Sequence, residues 1–179
     1  MGSNAFANNR LTSVDLTGVS QIGSGAFANN QLTSVTLTRV PKIGDGAFTN
    51  ELMEALKIHF ANSVSLAGTY IYQNNQWLLD GEAITGNYVT LDKEPEIIMI
   101  SIDGNSANTY LFDNDFLVSP GFHTVVVSYS SSKIRGGQII TTTSQGSVTF
   151  EHRFFFSGSR YLFTGSEEGD KIIFRIEPK

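Results

Sequence analysis

Apolar residues in the first third of the chain return every 21 positions. Phe6, Phe27 and Phe48 keep that spacing, each behind an alanine (Ala5, Ala26, Ala47). Leu11, Val14 and Leu16 recur as Leu32, Val35 and Leu37; Val19 and Ile22 recur as Val40 and Ile43. Asn8-Asn9 returns as Asn29-Asn30. A fixed period of this length predicts a solenoid, whose coils cannot bury their apolar faces singly and do so by stacking. Within a coil, Leu-x-x-Val-x-Leu sets alternate residues on opposite faces, which predicts a short strand with one buried side. Gly-Ala-Phe then bends the chain, glycine permitting the turn and phenylalanine plugging the interior. Asn-Asn turns it back, because asparagine tolerates left-handed backbone. One period further, Met53, Leu56, Ile58, Ala61 and Val64 keep the apolar frame with its polar letters decayed. Residues 52–60 (LMEALKIHF) are read as a degenerate third strand. Their Glu, Leu, Ala and Met content suits a helix better by propensity, so a helical turn is the alternative.

Past residue 70 the period stops and short strand patterns with turn punctuation replace it. Asp80-Gly81, Asp103-Gly104, Asp113-Asn114-Asp115 and Pro120-Gly121 separate runs such as EIIMISI and HTVVVSYS, and such pairs favour hairpin turns. Seven to nine short strands at this spacing predict an antiparallel sandwich or barrel. The expected fold is therefore mainly β: a leucine-rich stack over residues 1–69, then an antiparallel β-sandwich-like domain over 70–179.

Charge sharpens that division. The whole chain of 179 residues carries a net charge of −5. Four bases and four acids cancel in residues 1–70, so the acidity resides in the second part. An acidic chain lacks the cationic surface that a general nucleic-acid binder needs. No apolar run reaches the length of a membrane span. Cysteine is absent, which removes disulfides, thiol nucleophiles and Cys-based zinc sites together.

The string LTSVTLTRVPKIGDGAF resembles the treponemal, BspA-type subclass of leucine-rich repeats found in bacterial surface and exported proteins, over residues 4 to about 66. The resemblance implies a non-enzymatic protein-binding platform on an exported protein, periplasmic, secreted or at the outer surface. The family pattern usually carries many repeats; this chain shows two good copies and a worn one, near the minimum for a stable stack. The opening Met-Gly-Ser reads as a cloning remnant, with an export signal or further repeats expected before it. An incompletely capped stack also favours dimerisation or segment exchange, so a self-associating envelope module is an alternative role. Residues 97–164 are similar to small β-domains of bacterial envelope proteins, which carry turn-formers and core rather than chemistry.

Candidate chemistry is sparse. His59, His123 and His152 have no spacing suited to zinc, and His123 is expected to hydrogen-bond its own Pro-Gly turn. The Asp-rich turns at 103–105 and 113–115 lack the continuation of a calcium loop. No nucleophile elbow, phosphate loop or dinucleotide fingerprint occurs, and no carboxylate pair is picked out for glycoside chemistry. No cofactor or metal is expected. A carbohydrate-binding sandwich is a further alternative. The candidate binding surface is the strand face of the repeats: Ser13, Asp15 and Thr17, then Ser34, Thr36 and Thr38, then Lys57 and His59 on the third strand. Three consecutive aromatics, Phe154, Phe155 and Phe156, cannot all point into a core from one strand; with Tyr70, Tyr72 and Trp77 they are expected to form an interface or a docking contact between the domains.

Overall fold

The computed structural model describes residues 1–39, 41–112, 115–135, 138–150, 158–168 and 171–179. The chain forms two compact units, Met1–Gly86 with Phe112–Asn114, and Asn87–Leu111 with Asp115–Lys179.

In the first unit the two clear repeats become two coils. Each contributes a strand to one side, β1 (Ser13–Asp15) and β3 (Ser34–Leu37), and a shorter strand to another, β2 (Gln21–Ile22) and β4 (Lys42–Ile43). Both pairs run parallel in register, Val14 beside Val35 and Ile22 beside Ile43. The three phenylalanines form a ladder: Phe6 and Phe27 stack at 5.5 Å and 7°, Phe27 and Phe48 at 5.4 Å and 2°. Ile22, Ala26, Phe27, Val35, Leu37, Ile43, Ala47 and Phe48 are buried around it. Asparagine does more than turn the chain. Asn8 and Asn29 adopt left-handed backbone, while Asn30 Nδ2 donates across coils to Phe6 O (2.7 Å) and within its own coil to Phe27 O (3.0 Å). Its Oδ1 accepts from Leu11 N at 3.0 Å. Gly44 has a stacking role: a Cβ there would lie 2.5 Å from Ser24 N of the coil before it.

The worn third copy is not a strand. Residues Asn50–Ser63 form a 14-residue helix, α1, with Thr49 as N-cap accepting from Leu52 N and Val64 as a left-handed C-cap. Helical propensity prevails here because Leu, Met, Glu, Ala and Lys replace the Thr, Ser and Val of the first two copies within the same apolar frame, and Thr49 provides a side-chain cap. The place of a third parallel strand is taken by β5 (Gly68–Gln73), which pairs antiparallel with β3. Two hairpins continue the sheet through β6 (Gln76–Leu79) and β7 (Glu82–Ala83), giving the order β1-β3-β5-β6-β7. Their turns, Asn74-Asn75 and Asp80-Gly81, have positive φ at both central residues, the geometry that matches strand twist.

The strands from Val89 onward form two further sheets. One has the order β10-β9-β13-β14: β10 (Asn105–Ser106), β9 (Ile97–Ile102), β13 (His123–Arg135) and β14 (Gln138–Phe150). The other runs β11-β12-β8-β15-β16: β11 (Leu111–Phe112), β12 (Asp115–Val118), β8 (Val89–Lys93), β15 (Arg160–Glu168) and β16 (Lys171–Pro178). β8 and β15 lie parallel, whereas β10–β9, β9–β13, β13–β14, β12–β8 and β15–β16 pair antiparallel. Val89, Leu91, Tyr161 and Phe163 of one sheet share a core with Ile97, Met99, Val125, Val127 and Tyr129 of the other. A side chain at Gly165 would meet Tyr129 Cδ2 at 2.7 Å and Ile97 Cδ1 at 2.9 Å, so a residue without Cβ lets the sheets approach there.

Candidate functional site

The outer face of the repeat sheet is built by strand alternation. Val14 and Val35 point inward and Val35 is fully buried, so Ser13, Asp15, Ser34 and Thr36 project from the opposite side. Their in-register neighbours on β5 are residues that the repeat pattern does not contain. Ser34 lies beside Ile71 and Thr36 beside Thr69; Thr36 Oγ1 and Thr69 Oγ1 are 3.2 Å apart. One strand further, Leu78 pairs with Ile71. Ile71 is 38% exposed. The face therefore has an apolar centre, Ile71 and Leu78, beside a hydroxyl-rich strip. Sequence reasoning missed this centre. The signal was present in GTYIYQNN, where Thr69 and Ile71 alternate with Tyr70 and Tyr72 before a two-residue turn.

Other predicted members of the face have different positions. Thr17 and Thr38 lie beyond the strand ends and secure turns: Asp15 Oδ1 accepts from Thr17 N (2.9 Å) and Thr17 Oγ1 (2.6 Å), and Thr38 Oγ1 accepts from Gly18 N. The two bonds from Thr17 hold the Asp15 carboxyl below its usual range. Lys57 and His59 sit on α1 and not on a third strand. Lys57 is 3.6 Å from Glu54 on the same helix. The His59 Nδ1 lies 2.6 Å from Tyr70 Oη, and that hydroxyl donates to Leu66 O at 3.2 Å. Burial lowers the histidine pKa against a weaker opposing pull from Asp80, and burial followed by Asp80 raises that of the tyrosine. This chain of bonds ties helix to sheet.

The aromatics separate in the same way. Tyr70 is wholly buried. Tyr72 and Trp77 pair across β5 and β6 with rings 5.3 Å apart at 52°, and Tyr72 Oη donates to Asn75 Oδ1. Both border a cleft beside α1. Phe154, Phe155, Phe156 and His152 lie outside the described residues, as do Asp113 and Asn114. Asp115 is described and accepts from Arg160 at 3.1 Å. His123 bridges two turns, its Nδ1 2.7 Å from Asp103 Oδ2 and its Nε2 2.7 Å from the Ser119 carbonyl.

With parallel coils, a phenylalanine ladder and asparagine clamps in place, the repeats can be compared with known families. Residues 1–80 match the BspA type leucine rich repeat region (6 copies). Searches of the curated proteins and of the solved structures found no match. BspA-type repeats are generally protein-interaction modules and typically occur on exported or surface proteins. Among the described residues no helix is long and apolar enough to cross a membrane.

Proposed function

We infer that the chain is a non-enzymatic protein-interaction module of a bacterial exported or envelope protein, and that the outer face of the β1-β3-β5-β6 sheet meets the partner. One observation carries this reading: exposed Ile71 and adjacent Leu78 lie in register with Ser34 and Ser13, beside the Thr36–Thr69 row of the same face. An apolar centre with a polar margin is the usual anatomy of a protein interface. In this reading the repeats over residues 1–69 form the core of the module, and the hairpin strands β5 and β6 of the same unit complete its binding face. A photo-crosslinking residue at position 34 or 71 tests it on the bacterial envelope fraction. A discrete adduct from these positions, absent when the residue is placed at Lys42, is the expected result. Equal labelling from all three positions, or none, overturns the assignment.

A second reading, self-association, has its own support. At the β1 end of the stack Phe6 is 43% and Met1 38% exposed, beside a hollow of about 250 Å³ bordered by Leu11, Val14 and Leu16. Light scattering over a range of concentrations should show a dimer that Phe6→Ser abolishes. Monomer at every concentration rejects this reading.

A further inference from the structure

On the helix side of the first unit, α1 and the β5–β6 hairpin border two adjoining hollows of about 300 and 200 Å³. Both share Glu51, Tyr72 and Trp77, with Leu32 in one and Glu54 and Gln76 in the other. Neither hollow has a lysine, arginine or histidine among its bordering residues. Glu54 is near Lys57, whereas the Glu51 side chain is exposed and its carboxylate makes no hydrogen bond or ion pair among the described residues. The cleft thus joins an aromatic wall to an available carboxylate, with neutral amide acceptors nearby. That combination is complementary to one ligand chemistry. A planar cation stacks on an aromatic ring and bonds a carboxylate through its fork of N–H donors.

We propose that this cleft binds an arginine side chain presented by a peptide segment of a partner protein, with the guanidinium against Tyr72 and paired to Glu51. Lysine fits less well because a point charge gains neither the planar stacking nor the two-pronged bond. An acidic segment is repelled by Glu51 and Glu54. The site is distinct from the outer strand face, because Tyr72 and Ile71 project to opposite sides of β5. Failure at one therefore leaves the other standing.

Trp77 is the only tryptophan in the chain, so its fluorescence reports binding at this cleft directly. The intact protein is titrated with acetyl-Leu-Arg-Leu-amide and with the same peptide carrying citrulline, which keeps the shape and removes the charge. The expected result is a saturable change with the arginine peptide, weakened roughly tenfold by citrulline or by Glu51→Gln and unchanged by Glu82→Gln, which removes the same charge elsewhere on the sheet. Binding should also weaken as salt rises. Equal affinity for the arginine and citrulline peptides overturns the proposal, as does an unaltered affinity in Glu51→Gln, which the retained circular dichroism spectrum would show to be folded. A saturable response to an oligosaccharide, with none to the arginine peptide, also overturns it.

Discussion

Val64 ends α1 with φ of 54°, its N–H bonded to Phe60 O at 2.7 Å. A β-branched residue in left-handed backbone is strained, and glycine relieves that strain at the cost of a half-buried side chain. Val64→Gly is expected to raise stability by about 0.5 kcal/mol, seen as a higher urea midpoint at constant slope. His59 makes a pH prediction. Burial disfavours its cation in the folded chain, so the unfolded chain binds more protons below its ordinary pKa of about 6.5. The contribution to stability is complete above that value and is lost as pH falls toward the lowered folded value. Melting of the wild type should therefore fall between pH 7.5 and 5 more steeply than that of His59→Gln. At this scale the sequence shows which residues repeat and hides which bonds they make. Asn30 reads as a turn former, yet its side chain fastens two coils, because a bond across 24 residues leaves no local trace.

The coils lend themselves to a comparison of equivalent positions. Phe27 lies between two rings and is 4% exposed, whereas Phe6 has one neighbour and is 43% exposed. Phe27→Ala should cost about 3–5 kcal/mol and Phe6→Ala about 1 kcal/mol, measured by chemical denaturation of each variant. Gly44→Ala places a methyl group against the backbone of the preceding coil, and the fixed neighbour makes it one of the more damaging single-methyl changes in the stack. The strands of the two clear copies were legible because alternation and period agree. The third copy was not: LMEALKIHF keeps apolar spacing that serves strand or helix, and Thr49 as cap decides for helix. The closing strand β5 escaped as well. Its antiparallel pairing depends on the free edge of β3, a property of the assembled sheet rather than of either segment. The candidate face was consequently half visible, its hydroxyls readable from the repeat and its apolar centre not.

In the second unit, Asp92 accepts from Arg160 Nε at 3.1 Å, from Arg160 Nη2 at 2.7 Å and from Lys179 Nζ at 3.1 Å. Arg160 also reaches Asp115, so one cluster joins β8, β12, β15 and the final residue. The hydrogen bonds from Arg160, ahead of those from Lys179, keep the Asp92 carboxyl below its usual range. Its stabilisation is therefore present above the unfolded carboxylate pKa of about 3.9 and is lost as pH falls through the lowered folded value. Because both cations are about half exposed, solvent screening limits the effect. Asp92→Asn should cost about 1 kcal/mol at pH 7 and less at high salt, read from urea midpoints. Turns such as Asp103-Gly104 were legible in this unit; the β8–β15 partnership was not, since Arg160 and Asp92 stand 68 residues apart. That separation sets an order of events during synthesis. A ribosome adding about 5–20 residues per second completes each repeat coil in a few seconds at most, but delivers residues 160–163 only roughly 4–14 s after residues 90–93. Until then nascent β8 has β12 on one side and an open edge on the other, exposed to whatever strand reaches it first.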